Sequence, residues 1–174
     1  MEQNKQTSSN TGQPGNQASH GKKITPFLWF NGNLKEAIGF YTSVFRNTQV
    51  MNTRELNGPE GSRILTAAFE IEGQQFMALD GGPAFSFNPA VSFFIRCKDQ
   101  EEVDALWNKL SDGGAEEACG WLRDKFGLSW QVIPDTLERL LNDPDPVKAN
   151  NVMQAMLQMK KIDIRTLEEA YNKA

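Results

Sequence analysis

Hydrophobic side chains recur along this chain in two rhythms, every second residue and every third or fourth, and the places where one gives way to the other predict its elements. Ile24–Phe30 (ITPFLWF) reads as a strand, with Pro26 near its start, where a missing N–H is tolerated. Asn33 and Glu36 then form a capping-box pattern. Leu34, Ala37, Ile38, Tyr41, Val44 and Phe45 follow as one apolar stripe of a helix ending near Arg46 and Asn47. Strand-like runs come next at 49–55, 63–71 and 75–79, separated by turns through Asn57-Gly58-Pro59 and Glu72-Gly73. The first half is therefore β-α-β-β-β.

Asp80-Gly81-Gly82-Pro83 is a strong break, and Asp80 reads as the cap of the Gly-Gly turn. The same order then returns. Val91–Cys97 is an apolar strand, and Asp99 with Glu102 is a second cap pattern. Val103, Leu106, Trp107 and Leu110 stripe a second helix that stops at Gly113-Gly114. Ala115–Trp121 and Leu128–Ile133 are further strands, joined by a turn from Arg123 to Gly127. The two halves form a weak internal repeat of about 65 residues.

Beyond Pro134 the rhythm is helical. Residues 136–141 form one helix, Asp143-Pro144-Asp145-Pro146 stops it and starts the next, and Val152, Ala155, Met156 and Met159 stripe that one. Asp163 caps a closing helix with Leu167, Ala170 and Tyr171. Residues 1–23, rich in Gln, Asn, Ser and Gly without a branched apolar side chain, are expected to be disordered. The domain plan is thus a tail at 1–23, a paired βαβββ domain at 24–134 and a helical extension at 135–174, in an α+β protein.

Composition narrows the chemistry. A net charge of −4 with interspersed signs is no footprint for nucleic acid, and no apolar run is long enough to cross a membrane. The two cysteines, Cys97 and Cys119, are too few for a disulfide framework and fit a reducing cytoplasm. The one histidine, His20, falls in the tail, so His-based nucleophilic catalysis and His-rich metal sites are disfavoured. Nothing in the sequence around Cys119 activates it as a nucleophile.

Several strings, ITPFLWF, EAIGFYTSVF, GGPAFSFNPAVSFF, CGWLRDKFGLSWQVIP and VMQAMLQMKKIDI, resemble the PhnB-like (3-demethylubiquinone 3-methyltransferase-like) branch of the vicinal oxygen chelate superfamily, the glyoxalase, bleomycin-resistance and dioxygenase group. The resemblance implies a homodimer in which the two βαβββ modules form curved mixed sheets around a cup, with the helices on the outer face. Carried over from the superfamily's metal enzymes, the four ligand positions fall at Thr25 or Pro26, Ala78, Ser92 and Gln131. None is an imidazole, carboxylate or thiolate, so a metal-free cup is expected. Many relatives carry a polar residue where this chain has Ala84.

Alternation says which side chains line the cup: Phe27 and Trp29 on the first strand, Ser92, Phe94 and Arg96 on the fifth, and Ser129, Gln131 and Ile133 on the last. Trp29 is either lining or core. Arg96 either faces the cup or makes a surface ion pair. Gln131 either meets a ligand or satisfies a neighbouring backbone amide. Glu70 is the best carboxylate candidate for a base, against the alternative of a solvated strand position. No cofactor is expected, because Gly81-Gly82 leads towards another strand rather than into a helix. The expected function is binding of a small, apolar or aromatic molecule, with two alternatives: methyl transfer to a quinone-like phenol, and drug sequestration without turnover.

Overall fold

The computed structural model describes residues 22–173. Residues 1–21 of the expected tail lie outside them. The first module is β1 (Phe27–Phe30), α1 (Leu34–Val44), β2 (Thr48–Asn57), β3 (Arg63–Ile71) and β4 (Gln74–Asp80). The second is β5 (Ser92–Cys97), α2 (Gln100–Leu110), β6 (Ala115–Glu116), β7 (Trp121–Arg123) and β8 (Ser129–Pro134). Their sheets have equivalent orders, β1-β4-β3-β2 and β5-β8-β7-β6, each with one parallel pair beside antiparallel ones. The α+β architecture of two repeated modules is as the sequence pattern predicts. Neither sheet closes, and β1 and β5 each keep a free edge.

Two local expectations fail for physical reasons. Asn33 does not cap α1; its backbone lies at φ −126°, ψ 15°, away from the extended region an N-cap needs, and its side-chain oxygen is buried without a partner. The parallel β1–β4 register places Asp80 opposite Phe30, beside the helix start. There the Asp80 carboxylate accepts from the Leu34 N–H at 3.0 Å, so this residue caps α1 rather than the Gly-Gly turn. The strand expected over Ala115–Trp121 is also split. Cys119 and Gly120 both have positive φ, and Trp121 belongs to β7, antiparallel to β8. The second cap holds as read, with Asp99 accepting from Glu102 N–H at 2.9 Å.

Core residues alternate along the strands. Leu28, Phe30, Phe69, Phe76, Ala78, Cys97, Trp130 and Val132 are buried on the helix side. The two modules pack through that side: Phe76 meets Phe93 with centroids 5.0 Å apart, and Phe45 and Tyr41 meet Trp130 at 5.4 and 5.7 Å. At the centre of this seam lies Asp124, 2% exposed. Its carboxylate accepts from Tyr41 Oη and Trp130 Nε1, each at 2.9 Å, and from the backbone N–H groups of Phe126 and Leu128. The two backbone bonds shape the turn into β8, while the Tyr41 bond reaches across to α1 of the other module.

The C-terminal extension is α3 (Asp135–Leu141), α4 (Pro146–Met156) and α5 (Ile164–Tyr171). It forms a second cluster, with Leu137, Leu140, Val152, Ile162 and Leu167 buried around Ile133. Its return segment bonds to the bulge between β6 and β7, Met159 and Lys160 carbonyls accepting from Cys119 and Gly120 N–H. Gly120, at φ +82°, must be glycine twice over: a Cβ there would lie 2.5 Å from Ile133 and 3.2 Å from Ile162. The Gln100 side chain clasps both Ile162 and Ile164.

Replacing Asp124 by Ala leaves four buried donors without their acceptor. Urea unfolding is expected to show a loss of about 2–4 kcal/mol, with a smaller loss for Asp124→Asn. Burial raises the Asp124 pKa, against the opposing effect of its four hydrogen bonds. A carboxyl raised on folding holds its proton more tightly in the folded state, so it subtracts stability as pH climbs from the ordinary carboxylate value to the raised one. The stability gap between wild type and Asp124→Asn is expected to narrow over that window as pH rises.

Candidate functional site

The faces turned away from the helices are the candidate binding surfaces. On the first sheet, Phe27 pairs in register with Met77 and Trp29 with Leu79; Phe27 is 53% and Met77 47% exposed. Trp29 is half-buried. Its indole N–H donates to the Gly82 carbonyl at 2.9 Å, and Phe85 of the inter-module linker meets it edge-on at 5.0 Å. A Cβ on Gly81 would lie 2.1 Å from the Trp29 ring, so glycine lets the linker close on it. Ala84 is exposed on that linker beside Phe85. Glu70 sits two strands away on the same face, opposite Gln49 and Gln75.

On the second sheet, Ser92 and Gln131 come together: Gln131 Nε2 donates to Ser92 Oγ at 2.9 Å. Gln131 is thus satisfied by a side chain, not by a backbone amide. Phe94 lies directly opposite Gln131 in the β5–β8 register and is 45% exposed. Arg96 stacks over Phe94 at 5.4 Å and pairs with Glu138 and, at 4.0 Å, with Asp135. It is therefore the ion-pairing residue of the two alternatives. Ile133, expected to line the cup, is buried under the extension instead.

Of the carried-over ligand positions, Ala78 is on the wrong face. It is 1% exposed in the core, in register with Leu28, so the open positions of β4 are Met77 and Leu79. Thr25 precedes β1 and donates its hydroxyl to the Lys22 carbonyl. Among the described residues no three His, Cys, Asp or Glu side chains converge as a metal site requires.

Register also identifies surface residues that alternation alone missed. Trp121, opposite Gln131 on β7, belongs to this face, as do Met77 and Leu79. The parity of β8 carried across to its antiparallel neighbour would have revealed Trp121, had the split of the strand before it been visible. A cleft of about 750 Å³ runs along the free edge of β5, lined by Phe93, Phe94, Arg46, Glu102 and Lys109 among others. The Phe27–Trp29 group and the Ser92–Phe94–Gln131 group lie on separate sheets.

Two repeated βαβββ modules with open, metal-ligand-poor faces define a protein of the vicinal oxygen chelate fold. The chain belongs to the 3-demethylubiquinone-9 3-methyltransferase (PhnB-like) family, whose pattern matches residues 22–133. The PhnB protein from Bacillus cereus is 36% identical, with a TM-score of 0.60 over 65% of this chain and 99% of that one. Protein PA1353 from Pseudomonas aeruginosa is 24% identical, TM-score 0.53, over 64% and 96%. The fosfomycin resistance protein FosX from Listeria monocytogenes shares the fold at 16% identity, TM-score 0.53, over 71% and 99%. No curated protein matches by sequence.

Both cysteines are free thiols. Burial first, then Glu102, Asp135 and Asp99, pushes the Cys97 thiol up to about 12, and the side chain is fully enclosed. Ellman's reagent at pH 8 is expected to titrate one thiol per folded chain, Cys119, and the second only after guanidinium unfolding.

Proposed function

We propose that this protein binds a small, largely apolar or aromatic molecule between the open faces of its sheets, in a cup that two copies complete together. The observation carrying this reading is the character of those faces: exposed Phe27 and Met77 on the first sheet, and exposed Phe94 beside the hydrogen-bonded Ser92–Gln131 pair on the second. Aromatic walls with a few placed polar groups are the usual make-up of a ligand site. The candidate lining is Phe27, Trp29, Glu70, Ser92, Phe94 and Gln131, with Arg96 set at the margin by its pairing to Glu138.

One further feature supports a homodimer. β1 and β5 each lie at an edge of their sheet, and an unpaired strand edge can pair with another chain. Laying β1 of one copy beside β5 of another would bring Phe27 and Trp29 opposite Phe94 and Gln131. The proposed cup works without a resident metal, since Thr25, Met77, Leu79, Ser92 and Gln131 offer no imidazole, thiolate or carboxylate. Among the described residues no helix is long and apolar enough to cross a membrane, and two free thiols support a cytoplasmic setting.

Methyl transfer, which the family description names, has weaker support in this chain. A nucleotide-type cofactor is usually held at a Gly-rich strand-to-helix turn. Here Gly81 and Gly82 lead into a linker, and the next helix begins at Gln100. Sequestration of a drug without turnover uses the same cup and differs only in the fate of the ligand.

Light scattering on the purified protein is expected to give twice the chain mass, and elemental analysis less than about 0.1 equivalent of zinc, nickel, manganese or iron. A stoichiometric metal lost in Gln131→Ala would overturn the metal-free cup. Heat on titration with millimolar S-adenosylmethionine would restore the methyltransferase reading.

A further inference from the structure

The register of the second sheet sets three side chains abreast on its open face: Phe94 on β5, Gln131 on β8 and Trp121 on β7. Neighbouring side chains across a sheet stand about 5 Å apart, so Phe94 and Trp121 flank Gln131 with about 10 Å between them. That spacing leaves room for a flat ring. At its base the Gln131 amide donates to Ser92, which leaves the Gln131 carbonyl free to accept and the Ser92 hydroxyl free to donate.

The two ends of this slot differ. One is closed by the C-terminal extension, where Ile133 is buried beneath α3–α5 and Arg96 is neutralised by Glu138. That extension lies beyond residue 133, where the family match stops. The other end carries Arg123, in register with Ser129 and one row beyond Trp121 on the same face. Arg123 is exposed and, among the described residues, forms no ion pair with a carboxylate. The next row of a strand is about 7 Å along, the reach from the middle of a ring system to an acidic substituent. A guanidinium suits a carboxylate there.

We infer that the second sheet is a binding slot for planar aromatic acids, with the ring between Phe94 and Trp121, a polar substituent on the Ser92–Gln131 pair and the acid group on Arg123. The inference rests on the small-molecule reading above and adds the class of ligand. Arg96 acts as a positioning residue: held by Glu138, it stacks on Phe94 and fixes that wall.

Calorimetry on the full chain tests this with 2-naphthoate, its uncharged analogue 2-naphthamide, and cyclohexanecarboxylate, which has the charge without the flat ring. Binding of 2-naphthoate, one per chain, is expected to exceed that of both analogues. Arg123→Ala should weaken 2-naphthoate about tenfold and leave 2-naphthamide unchanged. Trp121→Ala should weaken both, while Arg63→Ala on the other module changes neither; circular dichroism confirms each variant's fold. Equal binding of 2-naphthoate by wild type and Arg123→Ala overturns the inference. So does failure of 2-naphthoate when the neutral dye N-phenyl-1-naphthylamine still binds in a Trp121-dependent way, which leaves the small-molecule reading standing. If neither binds, both fall.

Discussion

One buried carboxylate holds this molecule in shape. Asp124 accepts four hydrogen bonds, two from the turn that launches β8 and two from the indole of Trp130 and the phenol of Tyr41. Burial makes its charge costly, and the donors around it offset that cost only in part, so its pKa stays raised. Tyr41 belongs to the first module and Asp124 to the second, so the bond sets how the helix side of one packs on the other. The same burial raises the Tyr41 pKa well above its usual value, which keeps the phenol a donor. With the helix sides locked together, Phe27, Met77 and Phe94 on the other faces stay exposed in a single chain.

That arrangement explains why exposed aromatic side chains are tolerated. Phe27, Met77 and Phe94 would be a liability on an isolated monomer. In the proposed dimer they would form the walls of the cup. The C-terminal extension acts at the other end of the same surface. By burying Ile133 and pairing with Arg96, it covers the last row of the second sheet.

Much of this was readable from the order of residues. The repeated stripe Leu34–Tyr41 and Val103–Leu110, each after an aromatic-rich strand, set out two equal modules, and strand parity separated Leu28 and Phe30 from Phe27 and Trp29. Such patterns are local, and local patterns survive folding. The parts that escaped depend on neighbours distant in sequence. Asp80 displaces Asn33 as a cap only because parallel pairing brings it beside the helix. Asp124 looked like an ordinary turn residue, since its partner Tyr41 is 83 positions away. Ala78 carried over to the wrong face through a slip of one residue, which in a strand inverts every side chain. Trp121 was hidden by the bulge at Cys119 and Gly120, whose cause is the returning extension.

In the proposed dimer the open faces meet those of a second copy along the free edges of β1 and β5. Hydrogen exchange of the backbone amides in Ser92–Cys97 that β8 leaves unpaired, followed over a range of protein concentrations, reads out that pairing. Protection of these amides is expected to rise with concentration alongside the change from chain mass to twice that mass. Fast exchange at every concentration, in a particle of twice the chain mass, would contradict it.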